Sequence, residues 1–275
     1  MSAINYIIII FSKIILNHFF QKIILLFKSI KILKNWYMYP LVYFSLIKKE
    51  IVIFETRNGI KIKLRSNSTD FMAFTHVWLI KEYHNENFTI KNNDVVIDIG
   101  AHIGLFSLYA SNYCLDGKIL SFEPVKENFS LLKQNINLNN KKNISFFNCA
   151  VSSKNELVKV FLDDDDSGHT LFSSGTNFEK VQSKSLEKIF IENGIEHCDL
   201  LKLDCEGAEY EIFETLPHEL FSKIQKIVIE YHFADTQPEL LKKLIEQLKF
   251  YSYSISIKPL FSNIGFLYAQ KIDNH

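Results

Sequence analysis

The chain contains no C-x-x-C pair. Its four cysteines, Cys114, Cys149, Cys198 and Cys205, are scattered over 275 residues. That spacing excludes a zinc knuckle or disulfide framework and reads as reduced, mostly buried thiols of an intracellular protein. Net charge is also missing, since 31 basic residues balance 31 acidic ones, and no global field draws the chain to nucleic acid. There is no internal repeat and no low-complexity linker apart from the acid run Asp163–Asp166. A contiguous acid run reads as a solvated loop, so no required metal is expected. A 47% hydrophobic content suffices for one core and is short for two independent domains.

Acid is absent from the first 49 residues, which carry seven lysines; Glu50 is the first carboxylate. Fifteen Ile, Leu or Phe residues lie between positions 7 and 27. They favour membrane insertion by about 5–9 kcal/mol, and Lys13 and Lys22 oppose it by up to about 2.5–3.5 kcal/mol each. With the polar amides and His18 added, the sum is close to zero. No basic stretch precedes the apolar run and no small-residue cleavage site follows it, which argues against a signal peptide. The expectation is a basic amphipathic helix over residues 1–36 lying on a membrane surface at the cytoplasmic face. A true span and a helix packed on the chain's own core stay open.

After Pro40 the pattern is globular, with a domain expected over 50–275 and a separate helical segment over 1–49. Ile51–Glu55 and Ile60–Leu64 alternate around Asn58-Gly59, a hairpin signal. Residues 70–83 read as a helix. Strands are then expected at 94–99, 118–122, 144–148, 199–203, 225–231, 251–257 and 264–269. Helices are expected at 104–114, 126–138, 185–193, 207–215 and 237–249. Such alternation implies an open, mostly parallel α/β sheet with helices on both faces, whose ligands bind at the carboxyl ends of the strands.

The first of those ends reads "VVIDIGAHIGLFSL". A dinucleotide fingerprint needs G-x-G-x-x-G, but position 102 is His; a P-loop needs G-K-[ST], which does not occur. A donor without phosphate, S-adenosylmethionine, remains. It needs a tight turn for its methionine part, supplied by Gly100 and Gly104, and an acid for its ribose hydroxyls. Glu123 in "SFEP", at the end of the next strand, can accept from two vicinal hydroxyls.

These two segments, with "SFEPVKENFSLLKQNINLNN", "LLKLDCEGAE" and the following "IVIEYH", resemble the signature segments of the FkbM family of methyltransferases over roughly residues 80–260. The resemblance implies a class I methyltransferase Rossmann-like fold and S-adenosylmethionine as methyl donor. It places Asp98, Gly100, His102 and Gly104 around the methionine part, Glu123 on the ribose, and Asn148, Cys149 and Ala150 near the adenine. His102 stands where the family more often has Asn, and Cys205 where it usually has an aliphatic residue; strand alternation is expected to turn Cys205 away from the site.

Lys202, Asp204 and Glu206 share one alternating set at the end of a buried strand, and such charges need partners or a ligand. One reading is a structural Lys202–Asp204 pair capping the following helix. The other places Asp204 near the donor's amino group or the acceptor, with Glu206 orienting or deprotonating the acceptor. His232 and His169, the latter in a polar loop, are the rival bases. The resemblance implies O-methylation of a hydroxyl on a sugar, glycolipid or secondary metabolite. A non-catalytic membrane-tethered scaffold and an NAD-dependent oxidoreductase are the alternatives; intact Asp98, Glu123, Asp204 and Glu206 argue against the first, and the missing glycine pattern against the second.

Overall fold

The computed structural model describes residues 20–84, 87–162 and 177–272. It opens with a helix α1 over 20–32 and a short α2 (Met38–Tyr43), followed by the hairpin β1 (Ile51–Glu55) and β2 (Lys61–Arg65). The expected helix at 70–83 is two pieces, α3 (Asp70–Phe74) and a π-helical turn (Thr75–Ile80), ended by Lys81 in the left-handed region. The alternating part then runs β3 (Val95–Ile99), α4 (Leu105–Ala110), β4 (Lys118–Phe122), α5 (Lys126–Leu138) and β5 (Ile144–Phe147). A small three-stranded sheet, β6 (Ala150–Val151), β7 (Leu157–Phe161) and β8 (Phe178–Lys184), follows. The chain closes with α6 (Leu186–Glu192), β9 (Leu200–Leu203), α7 (Glu209–Glu214), α8 (His218–Lys223), β10 (Lys226–Tyr231), α9 (Pro238–Phe250), β11 (Tyr253–Pro259) and β12 (Gly265–Lys271).

The main sheet has seven strands in the order β11-β12-β10-β9-β3-β4-β5. β10, β9, β3, β4 and β5 are parallel neighbours, and β12 enters antiparallel to both of its own. The central strands are apolar on both faces because helices cover both: Val96, Ile97, Leu201, Leu203, Ile227 and Ile229 are all buried. Asp98 and Lys202 interrupt that run, and register sets them side by side on β3 and β9. Seven expected strands are present within two residues of their ends. The sheet β6–β8 and helices α2 and α8 were not anticipated, since each is short and carries little periodicity.

The boundary expected at residue 49 does not hold. Leu33 is fully buried and bridges Thr56, and the Arg57 guanidinium donates to the Ile30 carbonyl from Nε (3.0 Å) and Nη2 (2.8 Å). Tyr39 and Val42 join the same core as Phe54 and Phe74. From Ser29 onward this segment therefore packs with the domain, adding to the apolar cover that Phe71 and Phe74 give the hairpin's Phe54. On the opposite face of α1, Ile24 is 52% and Phe27 61% exposed. Leu33→Ala should destabilise the protein by about 2–5 kcal/mol, and Phe27→Ala by no more than about 0.5 kcal/mol, as read by denaturant unfolding.

Candidate active site

Gly100, straight after β3, has φ +71°, and a Cβ there would stand 1.7 Å from the Asp204 carbonyl oxygen. The turn is thus pressed against the end of β9, and only glycine permits it. Gly100 and Ala101 donate their N–H groups to the Phe122 carbonyl (3.1 and 3.0 Å). His102, at φ +50°, donates its backbone N–H to Glu123 Oε2 at 2.8 Å. Its imidazole Nε2 lies 3.2 Å from Asp70 Oδ1, and Arg65 grips Asp70 through Nη2 (2.8 Å) and Nε (2.9 Å). Gly104 caps α4 at φ +85° against Leu132.

A cavity of about 500 Å³ opens over these strand ends. Its lining includes the turn residues Gly100–His102, Glu123–Val125 and Cys149–Val151 as one part and Tyr83, Lys202, Asp204–Glu206 and Glu230 as another, and Met72, Val77, Leu260 and Phe261 add apolar surface. Of the residues expected around a donor, Gly100, His102, Glu123, Cys149 and Ala150 reach this cavity. Gly104, Asp98 and Asn148 do not line it. Asn148 instead donates its amide to the carbonyls of Glu123 (2.9 Å) and Pro124 (2.8 Å), fixing the turn that carries Glu123. Glu123 is 4% exposed, and its oxygens accept from the His102 and Val125 backbones. Burial raises its pKa, against the pull of His102.

Lys202 joins the two parts. Its side chain is 3% exposed. Its Nζ donates to the Gly100 carbonyl at 2.7 Å, lies 3.2 Å from Asp98 Oδ1 and 3.8 Å from Asp204 Oδ2, and sits 5.2 Å over the Tyr83 ring. Burial alone would lower the ammonium's pKa, but Asp98 and Asp204 outweigh it and raise it. Asp98 is also bound by Ser107 Oγ at 2.5 Å. Lys202 is thus buried and paired, no side chain caps α7, and Asp204 and Glu206 line the cavity.

Glu206 adopts φ +51°, a left-handed conformation uncommon for a side chain of its size. Burial raises its carboxyl pKa, His232 opposes this, and Asp204 and Glu230 add to it. His232 does not line the cavity. Its side chain is buried off the cavity wall, with Nδ1 3.0 Å from Glu209 Oε1 and Nε2 3.3 Å from Glu206 Oε2. Burial works against its protonated form, yet the two acids push its pKa up to about 10. At neutral pH it therefore already holds the proton that a base would have to accept. His169 lies outside the described residues. Cys205 lines the cavity, contrary to the alternation argument, because β9 ends at Leu203 and the chain has left the pleat by then.

Three contributors were missed. Tyr83, in a turn after the π-helical segment, donates toward Asp204 Oδ2 (2.9 Å) and Glu230 Oε2 (2.8 Å). Glu230, at the carboxyl end of β10, was only one of several strand-end positions. His76, on the π-helical turn, lines the cavity with Nδ1 2.8 Å from the buried Glu82. Only Glu230 carried a signal, its place at a strand end; His76 and Tyr83 carried none. Asp204, Glu230 and His232 each bring one ligand atom within 4.8 Å of the others. Tyr83 donates toward the two acids, and Glu206 and Glu209 pair with the histidine.

The pairing of His232 contributes stability that is fully present below its ordinary pKa of 6.5 and is lost as pH rises through its folded value of about 10. Wild type should exceed His232→Gln in unfolding free energy most clearly near about pH 6, with the difference shrinking toward about pH 10, as measured by denaturant titration across that range.

The methyltransferase FkbM domain matches residues 98–255. The methyltransferase sdnD of Sordaria araneosa is 27% identical over 175 residues, which cover 51% of this chain and 67% of that protein. Methyltransferase 1 of Beauveria bassiana is 27% identical over 177 residues, covering 54% and 71%. Among solved structures, methyltransferase FkbM from Methylobacillus flagellatus KT aligns with a TM-score of 0.49 at 16% identity, covering 72% of this chain and 53% of that one. With more than half its length inside the matched domain, the chain belongs to the FkbM family of S-adenosylmethionine-dependent methyltransferases.

Proposed function

We propose that this methyltransferase modifies a hydroxyl group of a sugar, a glycolipid or a secondary metabolite. The observation that carries this reading is the pair Asp204 and Glu206 in a cavity whose lining also includes Leu260 and Phe261. Carboxylates accept hydrogen bonds from hydroxyls, and an apolar side suits the carbon skeleton of a ring or a lipid-linked acceptor.

When bound, S-adenosylmethionine supplies an electrophilic methyl group on a sulfonium sulfur, and its transfer to a hydroxyl oxygen releases one proton. The turn Gly100–His102 would hold the methionine part, where the missing Cβ of Gly100 lets backbone close on the ligand. Glu123 keeps lone pairs beyond those used by two backbone N–H groups and would accept from the ribose hydroxyls; Cys149 and Ala150 would border the adenine. Asp98 and Gly104 shape this turn from behind. Asp204 orients the acceptor hydroxyl, and Glu206 takes its proton. Burial lifts the Glu206 pKa to about 8, so its ionised, proton-accepting form grows as pH rises through that value and turnover should rise with it.

Mass spectrometry of glycans and lipids from cells with and without the protein should show a methyl-sized mass increment that depends on it. Glu206→Gln should cut that product by roughly 10²–10⁴-fold while calorimetry finds S-adenosylhomocysteine binding unchanged. In the same titration Glu123→Ala should weaken binding by about 1.5–3 kcal/mol, the loss of charge-assisted hydrogen bonds. Normal product from the Glu206 variant would leave Glu206 as a helix-start carboxylate only.

The exposed stripe Phe20, Ile24 and Phe27 recurs at helical spacing, with Lys28 and Lys31 nearby. Among the described residues no helix is long and apolar enough to cross a membrane. We propose that this stripe lies on an anionic lipid surface, consistent with a lipid-linked acceptor. The protein should float with anionic vesicles, not with neutral ones, and added salt should release it, each lysine near the surface contributing about 1 kcal/mol. A protein that stays unbound to anionic vesicles at low salt would end this reading.

A further inference from the structure

Tyr83 poses a problem of proton count. A phenol carries one hydrogen, yet its oxygen lies 2.9 Å from Asp204 Oδ2 and 2.8 Å from Glu230 Oε2. One hydrogen cannot be directed along both lines. The second contact is a full hydrogen bond only when one of the carboxyls is protonated and donates to the phenol oxygen. Tyr83 has little freedom to escape this arrangement. It is 8% exposed and packed edge-on against Phe106 (5.3 Å) and Phe266 (5.1 Å).

The surroundings decide which acid holds the proton. Lys202 Nζ is 3.8 Å from Asp204 Oδ2 and favours a charge there; it favours a charge on Glu230 too, but at Glu230 burial and Asp204 outweigh it. Glu230 also faces His76, Glu206 and His232 at longer range, and His232 is already paired with Glu206 and Glu209. We propose that Glu230 is a neutral carboxylic acid in the working enzyme, donating to Tyr83, which in turn donates to an ionised Asp204. Tyr83 and Glu230 are then positioning residues for Asp204, and the directed chain of two hydrogen bonds fixes that carboxylate's remaining lone pairs toward the cavity. Burial, followed by the nearby charge of Asp204, pushes the Glu230 carboxyl in the same direction. No covalent change occurs in the chain itself. The acceptor's proton passes to Glu206, whose oxygen gains the O–H bond that the acceptor loses. This inference rests on the reading of Asp204 as the group that orients the acceptor.

The assignment makes an asymmetric prediction. Glutamine has the shape of a neutral glutamic acid and can donate from its amide, so Glu230→Gln should lose far less of the cellular methyl product than Asp204→Asn. Asp204→Asn should lower it at least 100-fold, and Tyr83→Phe about 10-fold or more. All three should still bind S-adenosylhomocysteine, which checks that they fold. Carbon-13 NMR of side-chain carboxyls, on purified protein saturated with S-adenosylhomocysteine, supplies a readout independent of any acceptor. Each resonance is assigned by its disappearance in the Gln or Asn variant. At neutral pH the Glu230 carbon should appear at the protonated position and the Asp204 carbon at the ionised one. In Tyr83→Phe the Glu230 carbon should move toward the ionised position. Two ionised carboxyls in wild type, or a protonated Asp204 beside an ionised Glu230, would overturn the assignment. So would a loss of product in Glu230→Gln as large as that in Asp204→Asn, with donor binding intact. Selective broadening of both resonances by micromolar manganese would also overturn it, since the acids would then be holding a cation. Retained product in Asp204→Asn would instead refute the orienting role of Asp204 on which the inference rests.

Discussion

Lys202 is the interaction on which the active site depends. A buried ammonium is stable only if its lost hydration is replaced, a penalty of several kcal/mol. The replacement here comes from three directions at once: Asp98 on the neighbouring strand, the Gly100 carbonyl of the turn, and Asp204 two residues further on. Lys202 cannot be satisfied unless β3 and β9 are in register and the turn has closed over them. The geometry of the donor side and that of the acid side are therefore not independent, because one charge enforces both.

The rest of the fold holds this arrangement from outside. Asn135 on α5 donates to the carbonyls of Ile103 and Lys63, tying the first helix turn after β3 to the hairpin β1–β2. That hairpin supplies Arg65, which holds Asp70 beside His102. The N-terminal segment covers the hairpin's apolar face through Leu33, Tyr39 and Val42. A series of contacts thus leads from residues near the start of the chain to the turn at 100–104. At the far edge, the antiparallel entry of β12 leaves the tip between β11 and β12, with Leu260 and Phe261, over the acceptor side of the cavity.

Much of this was legible because it is local. Val95–Ile99 reads as a strand from its own residues, and Gly100 and Gly104 mark a turn because few other residues tolerate that backbone. Glu123 follows from a strand end four residues after Ile119. What could not be read depends on partners distant in sequence. Tyr83 meets Asp204 and Glu230 only through tertiary packing, and no spacing announces a tyrosine in a turn. His232 looks like a base in the sequence "IVIEYH"; only the positions of Glu206 and Glu209 make it a cation. Asn148 sits in the expected place but turns its amide to the backbone beneath, a choice of rotamer that sequence does not carry. Leu33 belongs to the core although it lies within a basic apolar run that reads as peripheral.

The left-handed backbone at His102 and Glu206 has a consequence for how this protein can change. Each non-glycine residue in that region costs roughly 1–2 kcal/mol relative to glycine, and both stand close to glycines that bear the same strain for less, Gly104 and Gly207. Glycine at 102 or 206 would relieve that strain, since the backbone already has the shape glycine prefers. It would also remove the imidazole against buried Asp70 and the carboxylate beside buried His232, leaving each charge short of a partner. The two positions are thereby locked from both directions: a bulkier apolar residue inherits the strain without the pairing, and glycine sheds the pairing with the strain.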